Sequence, residues 1–324
     1  MKKYQWTKWL FITLSPLAIG ALAIAPSWAK YPDKPINFIM PWPAGGGTDI
    51  SLRPLINAAS RILGQPIPIE YHPGGSTAVG MGILKVKKPD GYSIGMASIS
   101  SLINQHTRKV PYDVLKDFTP IVQYAEYTFG LAILANAPWK NFREFIDFAK
   151  ANPGKIRYSS TGPGDPQSLV MSSLGKRLQI QWTHIPFEGG PPALTALLGE
   201  HVEAYSTTMH VKPHVLAERL RLLCTYGEKR IPSFPNVPTL QELGFPIVAP
   251  SFMVILAPKG ISAEVVETVH QAFRKGMEDP EFLKGCDAVD HVPIYKNPQD
   301  TAKHLSYLNE DIIGLVRDLK LPKK

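Results

Sequence analysis

The sequence predicts an α/β protein built on largely parallel sheets and divided into two domains. Three observations carry this. Short apolar runs alternate with amphipathic helices along the whole chain. A unit of strand, glycine loop and helix recurs four times. The length of 324 residues exceeds what one hydrophobic core usually organises.

The first unit is Asn37-Phe-Ile-Met-Pro-Trp-Pro-Ala-Gly-Gly-Gly-Thr-Asp49. Phe38, Ile39 and Met40 form a short apolar run, as a buried parallel strand requires, and Pro41 and Pro43 end it. Gly45, Gly46 and Gly47 let a ligand approach the main chain closely. Thr48 or Asp49 is positioned to cap a helix through Leu52, Leu55 and Ile56. Helix N-termini leave amide N–H groups unpaired and attract anions, so this loop reads as a small-anion site, most simply for a carboxylate. A tight turn that binds nothing is the alternative. No Lys follows the glycines, as a P-loop needs, and G-x-G-x-x-G is not matched.

The N-terminus sets the compartment. Lys2, Lys3 and Lys8 precede an apolar stretch from Leu10 to Ile24, and Ser27-Trp28-Ala29 places small residues where a signal peptidase reads. Residues 1–29 are expected to be a signal peptide cleaved after Ala29, placing the protein in the periplasm. The apolar run is shorter than the roughly 20 residues a membrane span needs, which ranks an uncleaved anchor second. No other long apolar segment occurs, so the mature chain is expected to be free of the membrane. Losing three lysines lowers the net charge from +8 to +5. Scattered basicity in an exported protein suits an anionic solute better than nucleic acid. Two cysteines, Cys224 and Cys286, make no disulfide scaffold.

Further along, Pro66 to Glu70 reads as a strand entering His72-Pro-Gly-Gly-Ser-Thr77, with a helix over Val79 to Lys87. Tyr92 to Ser98 and Gly130 to Ala135 are strands. Asn141 caps a helix burying Phe142, Phe145, Ile146 and Ala149. Ile156 to Ser160 leads into Thr161-Gly-Pro-Gly-Asp-Pro166 and a helix to Leu178. Thr183 to Phe187 leads into Glu188-Gly-Gly190 and a helix over Ala193 to Leu198. Strands follow at Val202 to Thr207, Leu220 to Thr225 and Pro250 to Pro258. Ser262, Asp279 and Asn297 cap three further helices. The last of these carries Leu305, Leu308, Ile312, Leu315 and Leu319 as a packing stripe. Ligand sites in open α/β sheets lie at the carboxyl ends of strands, where the glycine loops sit, so two lobes facing each other across a cleft are expected.

Taken in order, several motifs resemble the solute receptors of tripartite tricarboxylate transporters, the Bug family of periplasmic binding proteins. They are Tyr31-Pro-Asp-Lys-Pro-Ile36, Pro43-Ala-Gly-Gly-Gly-Thr-Asp49 with Arg53, Pro89-Asp-Gly-Tyr92, Val110-Pro-Tyr-Asp113, Lys150-Ala-Asn-Pro-Gly-Lys155, His184 to Leu194 and Asn236-Val-Pro-Thr-Leu240. The resemblance covers nearly all of the mature chain. It implies the two-domain periplasmic binding protein fold (type II-like), with residues 30–127 and 251–324 forming domain 1 and residues 128–250 forming domain 2. It implies no catalysis and no cofactor. It implies a carboxylate clamped by main-chain amides, hydroxyls and waters, delivered by a monomer to integral-membrane transporter subunits. Carried onto this chain, the clamp comprises Trp42, Ala44, Gly45, Gly46, Gly47, Thr48 and Asp49 on one side. Thr161, Gly162, Gly164, Asp165, Phe187, Glu188, Gly189 and Gly190 lie on the other, with Ser98 and Thr207 at strand ends.

The chain departs from the family pattern at two acids. Asp165 stands where Ser is common, and Glu188 where Lys is common. Facing the cleft, they would repel a second carboxylate and favour a monocarboxylate bearing a donor group. Alternatively, Asp165 before Pro166 caps a helix and Glu188 points to solvent. Three other functions compete: a sensor without a transporter, a hydrolase using Ser93 within Gly91-Tyr-Ser-Ile-Gly95, and a metal receptor using His210 and His214. The Ser93 context is turn-to-strand rather than strand-to-helix. The histidines have surface positions flanking Pro213 as their simpler reading.

Overall fold

A computed structural model describes residues 31–318, so the predicted leader and Leu319 lie outside the described residues. The first sheet is entered through β1 (Asn37–Met40), α1 (Gly47–Leu63), β2 (Ile69–Tyr71), α2 (Ala78–Lys85) and β3 (Ser93–Ser98). The chain continues through α3 (Ile99–Thr107), α4 (Val114–Asp117) and β4 (Phe118–Tyr127). It then crosses into a second sheet with β5 (Phe129–Leu134), α5 (Phe142–Ala151), β6 (Arg157–Ser160), α6 (Pro166–Leu178) and β7 (Thr183–Pro186). That half is completed by α7 (Gly190–Leu198), β8 (Ala204–Thr208), a 3-10 turn (Met209–Val211), α8 (Lys212–Leu216) and β9 (Leu220–Thr225). The return consists of β10 (Met253–Pro258), α9 (Ala263–Gly276), α10 (Pro280–Ala288), β11 (His291–Lys296) and α11 (Pro298–Asp318).

The sheets run β11-β4-β10-β3-β1-β2 and β7-β6-β8-β5-β9. The strand–helix–strand units pair in parallel, as expected: β1 with β2 and β3, and β6 with β7 and β8. The strands that carry the chain between sheets pair antiparallel: β10 with β3 and β4, β11 with β4, and β5 with β8 and β9. Both sheets are therefore mixed, because a strand entering from the other half has no crossover helix to turn it parallel.

β1 shows why the first unit holds. Phe38, Ile39 and Met40 are almost fully buried, and one such side chain contributes about 1.5–3 kcal/mol. Helix caps follow the sequence closely. The side chains of Asn141, Asp165, Ser262 and Asp279 each accept from a first-turn amide. At α1 the expectation shifts. Gly46 is the N-cap, and Thr48 and Asp49 lie inside the first turn. The Asp49 carboxylate instead reaches back to the Gly45 N–H (2.8 Å), held there by Arg53 (2.9 Å) and the Tyr71 hydroxyl (2.6 Å).

β4 lies between β11 and β10 although it contains Pro120, which cannot donate to a ladder. Register shifts between Ile255 and Leu256, where Pro120 stands opposite Leu256, and that irregularity accommodates it. A single residue, Thr128, separates β4 from β5. Ser251, on the returning segment, ties the two crossings together: its hydroxyl accepts from Tyr127 N (2.8 Å) and donates to Tyr127 O (2.5 Å). Cys224 and Cys286 are both buried free thiols. Among the described residues no helix is long and apolar enough to cross a membrane.

Candidate functional site

The glycine loops of the two halves meet at a cavity of about 40 Å³. Since one water needs roughly 10–15 Å³ of such space, the cavity takes only a few small groups. On one side are Trp42, Pro43, Gly46, Gly47 and Thr48 at the start of α1, and Ser100 in the first turn of α3. On the other are Thr161 before α6, Gln167 in its first turn, Gly190 opening α7, Thr208 at the end of β8 and His210 in the 3-10 turn after it. Tyr127, Phe129 and Met253 form the wall where the chain crosses, and His291 comes from the start of β11. A larger, mainly apolar cavity of about 520 Å³ lies between α3, α6, α11 and Pro246–Pro250, with Lys176 and Arg177 in its lining; the third glycine loop reaches it only through Pro166, and no glycine lines it.

Among the described residues no Lys, Arg, Asp or Glu side chain lines the smaller cavity. Polarity comes from helix starts and neutral groups. Among the described residues the N–H groups of Gly47, Thr48 and Asp49 have no hydrogen-bond partner, as the first turn of a helix dictates. Thr161 Oγ1 donates to Asp165 Oδ2 (2.8 Å) and accepts from Gln167 Nε2 (3.1 Å), so Asp165 aligns two lining residues from behind. Asp165 is fully buried, and its other oxygen accepts from the Ser168 amide (2.7 Å). Burial pushes its carboxyl pKa up, opposed by those hydrogen bonds. Asp165→Ala should cost about 1–2 kcal/mol through the lost cap, read as a lower denaturant midpoint at unchanged slope.

The two lining histidines are buried and held neutral. Burial lowers His210 to about 4 and His291 to about 3, the latter also through His210. His210 Nδ1 lies 2.9 Å from Thr208 Oγ1, and His291 Nδ1 lies 2.8 Å from Ser51 Oγ. The Tyr127 phenol is pushed up by burial and stays protonated.

Of the residues expected at the clamp, Trp42, Gly46, Gly47, Thr48, Thr161 and Gly190 line the cavity. Ala44 and Gly45 sit on the exposed outer curve of the loop, and Asp49 is engaged in holding it. Ser98 is buried at the N-cap of α3. Thr207 faces away and its hydroxyl donates to Thr208 O (2.6 Å). Strand side chains alternate, so the cavity receives Thr208 instead. Phe187 packs against the second hydrophobic cluster, and Glu188 is exposed.

Gly162, Gly164 and Gly189 lie where the halves touch. A Cβ on Gly162 would meet Ser76 Oγ at 2.0 Å, one on Gly164 would meet Arg108 Nη2 at 2.8 Å, and one on Gly189 would meet Pro43 Cγ at 2.4 Å. Ser76 also donates to Pro163 O (3.3 Å) across this seam. Its loop carries left-handed backbone at Ser76 and Thr77 and is pinned by Asn104 Nδ2 to Gly75 O (3.0 Å) and Ser76 O (2.6 Å).

Two competing sites come apart here. Ser93 begins β3, paired with Asn37, and no helix follows it as an elbow requires. His210 is buried at the cavity rather than on the surface, because it follows β8 into the interface, while His214 remains half-buried in α8. No cluster of three metal-ligating side chains occurs among the described residues.

Residues 52–313 match the model of the tripartite tricarboxylate transporter family receptor. A Cupriavidus necator protein described as "UPF0065 protein in gbd 5'region" is 37% identical over 315 residues, spanning 96% of each chain. A solved structure described as a periplasmic transporter superposes with TM-score 0.85 at 30% identity, covering 90% of this chain and 99% of that one. The R. palustris protein Rpa4515, solved with adipate, shares the fold with TM-score 0.85 at 21% identity, covering 91% of this chain and all of the other.

Proposed function

Because the chain belongs to the tripartite tricarboxylate transporter receptor family, a family of substrate-binding proteins rather than enzymes, we propose that it captures a small organic carboxylate at this cavity. Capture takes place in the periplasm, and the closed form is presented to a membrane transporter. The observation that carries the proposal is the cavity lining. Helix-start amides and hydroxyls converge there with no ionised side chain, an arrangement that solvates an anion without competing charge. Residues 31–127 and 251–318 would move as one lobe and 128–250 as the other, with the crossings at Thr128 and Ser251 as hinge. A ligand touching both lobes stabilises the closed state through its greater affinity for that state.

The narrower expectation of a monocarboxylate bearing a donor group rested on Asp165 and Glu188 facing the ligand. Neither lines the cavity, so the proposal places no limit on a second ligand group.

A thermal-shift screen of Lys30 to Lys324 against small carboxylates, their amides and amines tests the reading. A carboxylate at a hundred times its dissociation constant should stabilise by about 2.7 kcal/mol. Gln167→Leu should weaken the response, and Glu188→Lys should leave the order of preferred carboxylates unchanged. Silence across carboxylates with a response to amines would defeat the proposal.

A further inference from the structure

Two histidines reach the cavity from opposite halves of the molecule. His210 follows β8 in the second half, and His291 opens β11 in the first. They meet beside the first residue of α1. A methyl group on Gly47 would lie 3.3 Å from His210 Cβ and 3.5 Å from His291 Nε2. Ser51 Oγ lies 3.3 Å from both Gly47 O and Thr48 O and 2.8 Å from His291 Nδ1. In the tautomer where the hydroxyl donates to a carbonyl and accepts from Nδ1–H, His291 Nε2 is a bare acceptor. His210 Nε2 is buried without a hydrogen-bond partner among the described residues.

Bare imidazole nitrogens repel a carboxylate oxygen, whereas a protonated one donates to it and supplies charge. Among the described residues the lining holds no Lys or Arg, and the histidines are its only side chains able to become cationic. We propose that carboxylate capture takes up about one proton, shared between His210 and His291, making the pair a proton-coupled anion receptor. This deepens the carboxylate reading and rests on it.

The pair is suited to the task. Burial holds both rings neutral in the unliganded protein, and His210 also disfavours a charge on His291. An entering carboxylate supplies the missing counter-charge and raises the affinity for a single proton. Neighbouring groups do not substitute for it. His214 on α8 is half-buried, and its charge would oppose a proton on His210 rather than favour it. Asp290, adjacent to His291, is taken by Lys212 (3.0 Å) and Ser233 (2.6 Å), and Asp287 accepts from Lys212 too. Asp49 on α1 is paired with Arg53 and Tyr71. The aromatic neighbours, Tyr205 beside His210 and Tyr127 beside His291, are kept protonated by burial. α7 contributes Gly190.

The test is calorimetry on the mature chain with acetate, malate and adipate, between about pH 5.5 and about pH 8, in buffers of different ionisation heat. The expected result is uptake of about one proton, with affinity falling roughly tenfold per pH unit as pH rises below the ligand-bound pKa. The double variant His210→Gln with His291→Gln should flatten that slope, whereas either single variant leaves one ring to take the proton. The wild-type proton count decides the matter even if a variant fails to fold. Binding with no proton uptake overturns the proposal and leaves carboxylate capture standing. A slope that persists in the double variant also overturns it. Absence of binding by all three carboxylates at every pH overturns the carboxylate reading and this proposal with it.

Discussion

Gly189→Ala is expected to fold and yet bind the carboxylate about 10- to 100-fold more weakly. Gly189 has φ +104°, and its added Cβ would lie 2.4 Å from Cγ and 2.5 Å from Cδ of Pro43. Pro43 belongs to the first glycine loop in the other half, and its ring cannot rotate aside. Relief requires shifting the start of α1, which Asp49, Arg53 and Tyr71 hold in place. Overpacking of this kind costs about 1–3 kcal/mol, and each 1.4 kcal/mol is tenfold in affinity. The proposed opening of the lobes would remove the clash, so the penalty would fall on the closed state. The positive φ adds strain in both states. Gly154→Ala reports the cost of a positive φ in open space, since Gly154 has φ +74° and nothing within 4 Å of the added carbon. Gly189, at φ +104° and ψ −179°, lies where side chains are strained more, so both variants should melt lower, Gly189→Ala by more, and only Gly189→Ala should lose affinity in a direct titration. Wild-type affinity in Gly189→Ala would mean that closure does not bring Gly189 onto Pro43.

The largest stability loss is expected from Lys212→Met. Lys212 opens α8, is buried, and reaches across to the end of α10. Its ammonium donates to Asp287 O (2.5 Å), Asp290 Oδ1 (3.0 Å) and Asp287 Oδ1 (3.3 Å). The two carboxylates differ in consequence. The Asp287 side chain is 83% exposed and water replaces the lysine there, so that contact contributes little. Asp290 is 9% exposed, one of its oxygens has no partner, and Ser233 would be its sole remaining donor. Leaving a buried carboxylate unpaired costs about 3–5 kcal/mol, of which the residual serine contact spares part. At roughly 2–4 °C per kcal/mol for a chain of this size, the melting temperature should fall by about 10 °C. Lys212→Met combined with Asp290→Asn should recover much of the loss, because it removes the orphaned charge. A double variant as unstable as the single one would place the effect in the packing of the lysine stem.

Local chemistry in the sequence determined the strand–glycine loop–helix units, the helix starts behind Asn141, Asp165, Ser262 and Asp279, and the family. Each depends on neighbours within a few residues: a cap and its amide, a run of apolar side chains, a glycine before a first turn. β11 lacks such punctuation, and α3 follows β3 directly at Ser98, with no turn residue to separate strand from helix. β4 carries a proline that argues against a strand until the irregular pairing with β10 accommodates it. The cavity depended still more on tertiary structure. Thr208 replaced Thr207 because strand parity is set by pairing with β5, which local sequence does not reveal. Asp165 was legible both as a cap and as a cleft acid, and only burial behind Thr161 decided between them. His210 and His291 are 81 positions apart and belong to different sheets' halves. Their approach beside Gly47 exists only once two lobes pack together, because burial and mutual electrostatics are properties of the assembled interface rather than of either segment.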